Sequence, residues 1–519
     1  MSSMKVIYNK CFADPWVKVA QKLQQEHGYE PVYWIGYSHD DSEKLVPNAF
    51  SNVIYHSLID ALKSIFPQEI ADRFTRSYIN IDFLKSNASY ELQTIKMMDR
   101  MDLDRYSFNF MERQRDFRNY LKYWTACINY LKPDLVVSGN IPHTVFDYIL
   151  YLLCKFNKIK FVAFCWSTFL GRVIPITDIS SIGDILDKEY IRILKSGSGI
   201  ELLKQNQPDE IIESYEKVKL DYASAVPDYM KEQLIEHKKS SSLLRLAKKF
   251  ILDVYRFNDR YFGEDGFLKK GMPIIFKQQS KSIANSNMTI LNYSIYKLKA
   301  NAYKNKLKKY YNSLVSEPNF NVPYVIVNLH YQPEMSTSPA GDIFVDQLLC
   351  IEVLAKYVPD DYLIYVKEHP SQFYAQTDGH AGRILEFYDD LIAYPKVRFM
   401  PMAMDPFQLI KNSRAVATVT GTSGWEAMVL GKPVINFGLS WYENYAGVLK
   451  IVDEKSASII TQFIENFKFD ERDLFAYLNA FSKKSVKAYA HPGYKEKMKQ
   501  DEAECVSNLA ESIFQMVSK

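Results

Sequence analysis

Short, almost wholly apolar runs that end in a cluster of polar residues recur along this chain, and they limit its fold more than any other feature. In the C-terminal half they read YVIVNLH (324–330), YLIYVKEHP (362–370), VRFMP (397–401), AVATVTG (415–421) and PVINFG (433–438). Between them lie helical stretches such as FVDQLLCIEVLAKYV, DPFQLIKNS and SGWEAMVLG. Runs of Val, Ile and Phe without polar alternation suit strands covered on both faces, and intervening helices supply the crossovers of a parallel sheet. The N-terminal part repeats the pattern with KVIYN, PWVKVAQKLQQEHG and PVYWIG, then a helical NYLKYWTACINYLK, DLVVSG (134–139), a helical HTVFDYILYLLCKFNK and KFVAFCWS (160–167).

Two separate alternating units predict an α/β protein of the GT-B kind, two Rossmann-like doubly wound domains facing a cleft. At 519 residues the chain has room for two or three domains at roughly 150 residues each. The expected division is an N-terminal Rossmann-like domain over 1–200, a Lys- and Tyr-rich helical insertion and linker over 201–321, a C-terminal Rossmann-like domain over 322–455, and helices over 456–519 that pack across both. A hydrophobic share of 47% with 24% charged residues fits a soluble globular protein. The net charge of +3 argues for no nucleic-acid partner. Six scattered cysteines without a C-x-x-C pair read as reduced thiols. No signal peptide and no apolar run of the roughly 20 residues a membrane span needs is expected, which places the protein in the cytoplasm.

In an open parallel sheet, ligands lie beyond the carboxyl ends of the strands, where helix N-termini present unpaired N–H groups. Three stretches fall on that edge. In GTSG, Thr420, Gly421, Thr422, Ser423 and Gly424 combine glycines that allow close backbone approach with hydroxyls that can bind a phosphate; Thr422 or Ser423 could equally be a helix N-cap. Glu426, one turn further, is placed to accept from ribose hydroxyls. In KEHP, Lys367 and His369 share one side of a strand end by the period of two, with Pro370 turning the chain away, so a cation and an imidazole could meet a leaving phosphate. The stretch LHYQPEMSTSP gathers His330, Gln332, Glu334, Ser336 and Thr337, a density of polar groups that suits a ligand site, with Glu334 the candidate acid, base or nucleophile. On the N-terminal unit, GNIPHTVFDY sets Asn140 and His143 at a strand end suited to an acceptor hydroxyl, or to capping a helix.

HYQPE, KEHP and TGTSGxEA followed by GKPV together resemble the bacterial capsule polysaccharide biosynthesis proteins of the Kdo-transferase type, over roughly residues 322–445. The resemblance implies a GT-B glycosyltransferase using CMP-activated 3-deoxy-ulosonic sugars. Bacterial sialyltransferases are similar in pairing a His-Pro motif with a Ser-Ser or Ser-Thr pair that hold the nucleotide phosphate. His369-Pro370 matches the first, and Thr422-Ser423 matches the second with its order changed. Their acidic pair before a glycine has a counterpart in order only, Glu264-Asp265-Gly266. In the Kdo-type enzymes a carboxylate attacks the donor and configuration is retained, a role for which Glu334 is the candidate; an inverting route, which needs a base beside the acceptor hydroxyl, stays open in the sequence.

The resemblance implies no cofactor and no metal, and no strand-flanked D-x-D occurs; Asp389-Asp390 reads as a helix face. KKSSSLLRLAKKFILDVYRF (238–257) has the pattern of a basic amphipathic helix able to lie on an anionic membrane, where a lipid-linked acceptor resides. The expected function is transfer of a CMP-activated ulosonic sugar, Kdo or a nonulosonate such as pseudaminic or sialic acid, to a capsule, lipopolysaccharide or other surface glycan or glycolipid. A UDP-hexose transferase, a sugar-nucleotide epimerase on the same fold, or a non-catalytic capsule assembly scaffold are the alternatives.

Overall fold

The computed structural model describes residues 3–37, 41–62, 64–74, 77–102, 108–220, 290–334, 336–498 and 500–518. The amphipathic stretch 238–257 and Glu264-Asp265-Gly266 lie outside them. The first unit contains β1 (Met4–Asn9), α1 (Ala13–His27), β2 (Tyr29–Gly36), β3 (Ile54–Ser57), α2 (Ala88–Met97), α3 (Phe110–Leu131), β4 (Leu135–Ser138), α4 (Val145–Asn157), β5 (Lys160–Trp166), β6 (Arg172–Ile176) and α5 (Asp184–Lys195). Strands β1 to β5 pair in parallel in the order β3-β2-β1-β4-β5, so the sheet grows in opposite directions from β1. β6 joins β5 antiparallel, with Pro175 opposite Phe164. Sequence alone does not predict this strand, because a proline inside RVIPI argues against a ladder.

The second unit follows α6 (Ile290–Leu314) and contains β7 (Tyr324–Asn328), α7 (Gln347–Tyr357), β8 (Leu363–Lys367), α8 (Leu385–Ile392), β9 (Val397–Phe399), α9 (Pro406–Asn412), β10 (Ala415–Thr418), α10 (Thr422–Val429), β11 (Val434–Asn436) and β12 (Val448–Lys450). All six strands are parallel, in the order β9-β8-β7-β10-β11-β12. This is the doubly wound order in which the winding direction reverses between the first strand and the fourth, here β7 and β10. Their central residues, Val325 to Val327 and Ala415 to Ala417, are buried, as strands sandwiched between helices must be.

The C-terminal segment returns to the first unit through α11 (Glu471–Lys484), β13 (Val486–Lys487) and α12 (Glu502–Ser518). It is not wholly helical as expected: β13 extends the first sheet by pairing antiparallel with β6. α11 packs on α5 and α12 on α1. Where the units meet, Phe169 lies edge-on to Trp425 of α10 and, with Phe481 of α11, surrounds Trp441. Trp441 Nε1 donates to Thr168 Oγ1 at 2.8 Å, and the Gly183 amide donates to Glu443 Oε1 at 3.1 Å. Among the described residues, no helix is long and apolar enough to cross a membrane.

Candidate functional site

The reversal between β7 and β10 places the loop after β7 beside the turn from β10 into α10. His330 joins them. Its Nε2 accepts from the amides of Val419 and Thr420, both at 3.3 Å, and contacts Thr418 Oγ1 at 3.2 Å. Its own backbone is clamped by Gln347, whose Oε1 accepts from the His330 amide at 2.7 Å. Burial, then the neighbouring His369 and Arg383, push the His330 imidazole down to about 3, so it is neutral and an acceptor at Nε2. His330, expected to bind the donor directly, thus has this nitrogen engaged in shaping the turn.

The glycines of that turn serve packing. A Cβ on Gly421 would stand 2.8 Å from Thr418 Oγ1, and one on Gly424 would stand 2.4 Å from the Tyr442 hydroxyl, so no side chain fits at either. The freedom expected to admit a ligand instead admits protein neighbours. α10 begins at Thr422 with Gly421 as its N-cap and no side-chain cap, so neither Thr422 nor Ser423 is the cap. Thr422 is exposed and donates to Glu426 Oε1 at 3.1 Å, while Ser423 is buried with its hydroxyl lacking a partner among the described residues. Thr420 Oγ1 donates to the Ser336 carbonyl at 3.2 Å and so ties the turn to the Glu334 loop. Burial raises the Glu426 carboxyl to about 7, against the Thr422 hydrogen bond, which favours its ionised form.

At the end of β8, Lys367 is 6% exposed and its ammonium has no hydrogen-bond partner among the described residues. Burial lowers it to about 8 against the opposing attraction of Asp405 and Glu368. His369 Nδ1 accepts from the Ser371 amide at 3.2 Å, which assigns the proton of the neutral ring to Nε2 and leaves that nitrogen a donor. Burial, then Lys367 and Arg383, hold it down near 4. Pro370 opens the short 3-10 turn Pro370–Phe373 that His369 caps.

Between them in sequence, Glu368 is the residue that sequence reasoning passed over. It is 1% exposed and ion-paired to Arg383 at 2.9 Å, accepts from the Tyr388 hydroxyl at 2.8 Å, and takes the His369 amide on Oε1 at 2.8 Å. Arg383 also donates to the His330 carbonyl at 3.0 Å. One buried pair therefore holds the backbone at both histidines. A carboxylate followed by His-Pro was a visible signal for Glu368; nothing local marked Arg383.

The loop after β7 is internally bonded. Gln332, expected to bind the donor, exchanges its backbone with the Gln372 amide at 2.9 Å in both directions and donates to Thr337 Oγ1 at 2.5 Å, so its side chain supports the loop. Glu334 lies on the wall of a cavity of about 250 Å3, together with Arg383, Phe387, Asp346 and, from the first unit, Arg100. Burial raises the Glu334 carboxyl, while the Ser336 hydrogen bond and Arg100 pull it back. Gln93 of α2 donates to the Pro339 carbonyl at 2.7 Å, bracing the loop from the first unit.

On the first unit, the corresponding reversal lies between β1 and β4. His143, expected to meet an acceptor, has both ring nitrogens engaged: Nε2 with Lys10 Nζ at 2.9 Å and Nδ1 with the Ile141 carbonyl at 2.7 Å. Lys10 is buried and pairs with Asp147 at 3.1 Å. Asn140 Oδ1 accepts from the Ile141 amide at 2.8 Å, as a loop-capping side chain does. The structure thus brings Lys367, His369, Ser423 and Glu426 to one edge, puts Glu334 on the cleft wall beside it, and keeps His143 within the first unit. Asp389 and Asp390 lie on α8. Among the described residues, no group of three or more His, Cys, Asp or Glu is placed to hold a metal.

Residues 277–458 match the family described as capsule polysaccharide biosynthesis protein, a span that includes all three motifs, so the resemblance they carry is to that family. The chain is 29% identical over 82 residues to the capsule polysaccharide modification protein LipA of Neisseria meningitidis serogroup A, covering 16% of this chain and 11% of that protein. It therefore spans about a tenth of the length of the curated relatives it matches. Among solved structures it is similar to the Thermosulfurimonas dismutans KpsC beta Kdo 2,7 transferase, with TM-score 0.22 and 16% identity over 36% of this chain and 56% of that one. It is also similar to the UDP-GlcNAc 2-epimerase of Neisseria meningitidis, with TM-score 0.20 and 14% identity over 99% and 100% of the two chains.

Proposed function

We propose, with the family match of residues 277–458 as the premise, that this protein is a glycosyltransferase of capsule polysaccharide assembly. In this reading it transfers a CMP-activated ulosonic sugar, Kdo or a nonulosonate, to a surface glycan or lipid-linked glycan. The second unit, over 322–455, holds the nucleotide and the first, over 1–200, the acceptor. The observation that carries the reading is Lys367: a buried ammonium without a partner among the described residues, at the end of β8, is costly unless an anion completes it.

Around that anion the roles follow from geometry. Ser423 Oγ and the first amides of α10 donate to phosphate oxygens, with the helix dipole aligned to favour negative charge. His369 donates from Nε2–H to the phosphate that leaves, and Lys367 neutralises it. Glu426 takes a ribose hydroxyl. Glu334 attacks the anomeric carbon as the bond to the CMP oxygen breaks, and the acceptor hydroxyl then displaces Glu334, losing its proton to solvent or a base; two displacements retain configuration. Attack requires the ionised carboxylate, which the positive charge of Arg100 favours against burial. His330, Gln332 and Pro370 fix the loops, and Thr420 and Gly421 the turn. No cofactor is part of this mechanism. Six cysteines, none of them in a disulfide, suit a cytoplasmic location, and we place the protein at the cytoplasmic face of the inner membrane, where a lipid-linked acceptor is reached.

Thermal unfolding with added nucleotides tests the donor. CMP should raise the midpoint and UDP should not, since only a ligand bound by the native state stabilises it. Lys367→Met should remove the CMP shift. Equal stabilisation by UDP points to a hexose transferase or an epimerase, and no stabilisation by any nucleotide points to a scaffold.

A further inference from the structure

The cavity beside Glu334 has its opposite wall in the first unit, in the 3-10 segment Met98–Met101 that carries Arg100. This guanidinium is held in place from behind. Its Nε donates to the Met97 carbonyl at 3.4 Å and one terminal nitrogen donates to the His143 carbonyl. The network of Lys10, His143 and Asp147, which leaves His143 no ring nitrogen for a ligand, thus positions Arg100.

Charge accounting around Arg100 leaves it unmatched. Asp147 is paired with Lys10 at 3.1 Å. Asp99 is paired with Arg113 at 2.5 Å and with Lys96 at 2.6 Å. Both acids face Arg100 electrostatically, as does Glu334 across the cavity, yet none of the three forms an ion pair with it among the described residues. Burial lowers the Arg100 guanidinium to about 10, the sign of a cation that lacks full compensation.

Glu334 cannot both neutralise Arg100 and attack a carbon. An anion carried by the substrate, close to the reacting atom, would sit between them and complete the guanidinium. A 2-keto sugar acid has a carboxylate bonded directly to its anomeric carbon; an aldose has only hydrogen there. We infer that Arg100 receives the carboxylate on the anomeric carbon of an ulosonate donor, so that the first unit, rather than the nucleotide site, selects sugar acids over aldoses. This rests on the glycosyltransferase reading above. The planar fork of an arginine matches a carboxylate with two parallel hydrogen bonds, and charge-assisted bonds of this kind are worth about tenfold to a hundredfold in binding.

Isothermal titration of the full chain tests it, in a Glu334→Gln background that prevents turnover. The probes are CMP, CMP-Kdo and the carboxamide of CMP-Kdo, which replaces the anionic group by a neutral one of the same shape. The acid should bind about tenfold to a hundredfold more tightly than the carboxamide. Adding Arg100→Gln should abolish that preference while CMP affinity stays within about twofold, and Arg100→Lys should restore only part of it. If the Arg100→Gln protein keeps the preference, or loses CMP and CMP-Kdo affinity equally, the inference is overturned and the transferase reading stands. Equal binding of acid and amide by the protein with Arg100 intact overturns it without any substitution at that position. If neither CMP nor CMP-Kdo binds, the transferase reading fails and takes the inference with it.

Discussion

Lys367, His369 and Glu426 are three ionisable groups whose ordinary pKa values burial has shifted toward their neutral forms; an anion beside them would return charge to Lys367 and His369 and keep Glu426 protonated. Glu426 gives this a measurable consequence. Its folded-state value near 7 lies above the unfolded value of roughly 4.3, so the folded protein holds a proton that the unfolded chain has lost. Stability from this group is complete below the unfolded value and is lost as pH rises from about 4.3 through 7, by on the order of 3 kcal/mol. Denaturant unfolding at a series of pH values reads this decline as the difference between the wild type and Glu426→Gln, because the lowered His330 and His369 add stability to both proteins alike as pH rises toward the unfolded histidine value. Glu426→Gln keeps an acceptor for Thr422, so its advantage over the wild type should grow as pH rises through this window; an identical pH profile in the two proteins would assign the pH dependence to other groups.

The elements of the site are joined by one buried pair. Glu368 and Arg383, both nearly inaccessible, link the end of β8 to the approach to α8 and anchor the backbone of His330 and of His369. Removing one partner leaves the other charge buried, at a cost of about 3–5 kcal/mol. Arg383→Met should therefore lower the unfolding free energy by about that amount, and the double substitution Glu368→Met, Arg383→Met should recover much of it without recovering turnover, because the two histidines lose their brace. Recovery of turnover in the double variant would show that the pair does not position them.

This pair also marks the boundary of what sequence reveals. The strand ends were legible because apolar runs stop sharply at NLH, KEHP and TGTSG, and their order along the chain matches the doubly wound order observed. That Lys367, His369 and Ser423 share an edge followed from that pattern. The partner of Glu368 was not legible, since Arg383 lies 15 residues on, beyond a loop whose course no periodicity predicts. β6 was hidden by Pro175, and β12 and β13 are only three and two residues long. The engagement of His143 by Lys10 depends on residues 133 apart meeting where the first sheet reverses. His330 was recognisable as a site residue, but its role as an acceptor for two backbone amides required coordinates.

At the scale of the molecule, the two units are locked by an aromatic cluster that includes Phe169, Trp425, Trp441 and Phe481, by Trp441 on Thr168 and by Gln93 on Pro339. Trp425 belongs to the same helix whose start forms the proposed nucleotide site, so that edge and the contact between units share one rigid element. The cleft that results sets Glu334 of one unit against Arg100 of the other. The most direct measurement of what that cleft does is release of CMP from CMP-activated ulosonates, with a glycan acceptor present, by the wild type and by Glu334→Gln. CMP release by the wild type, falling at least a hundredfold in Glu334→Gln at unchanged CMP affinity, is the predicted result. Release that survives Glu334→Gln would contradict the assigned nucleophile, and no release from any CMP-ulosonate would contradict the proposed activity.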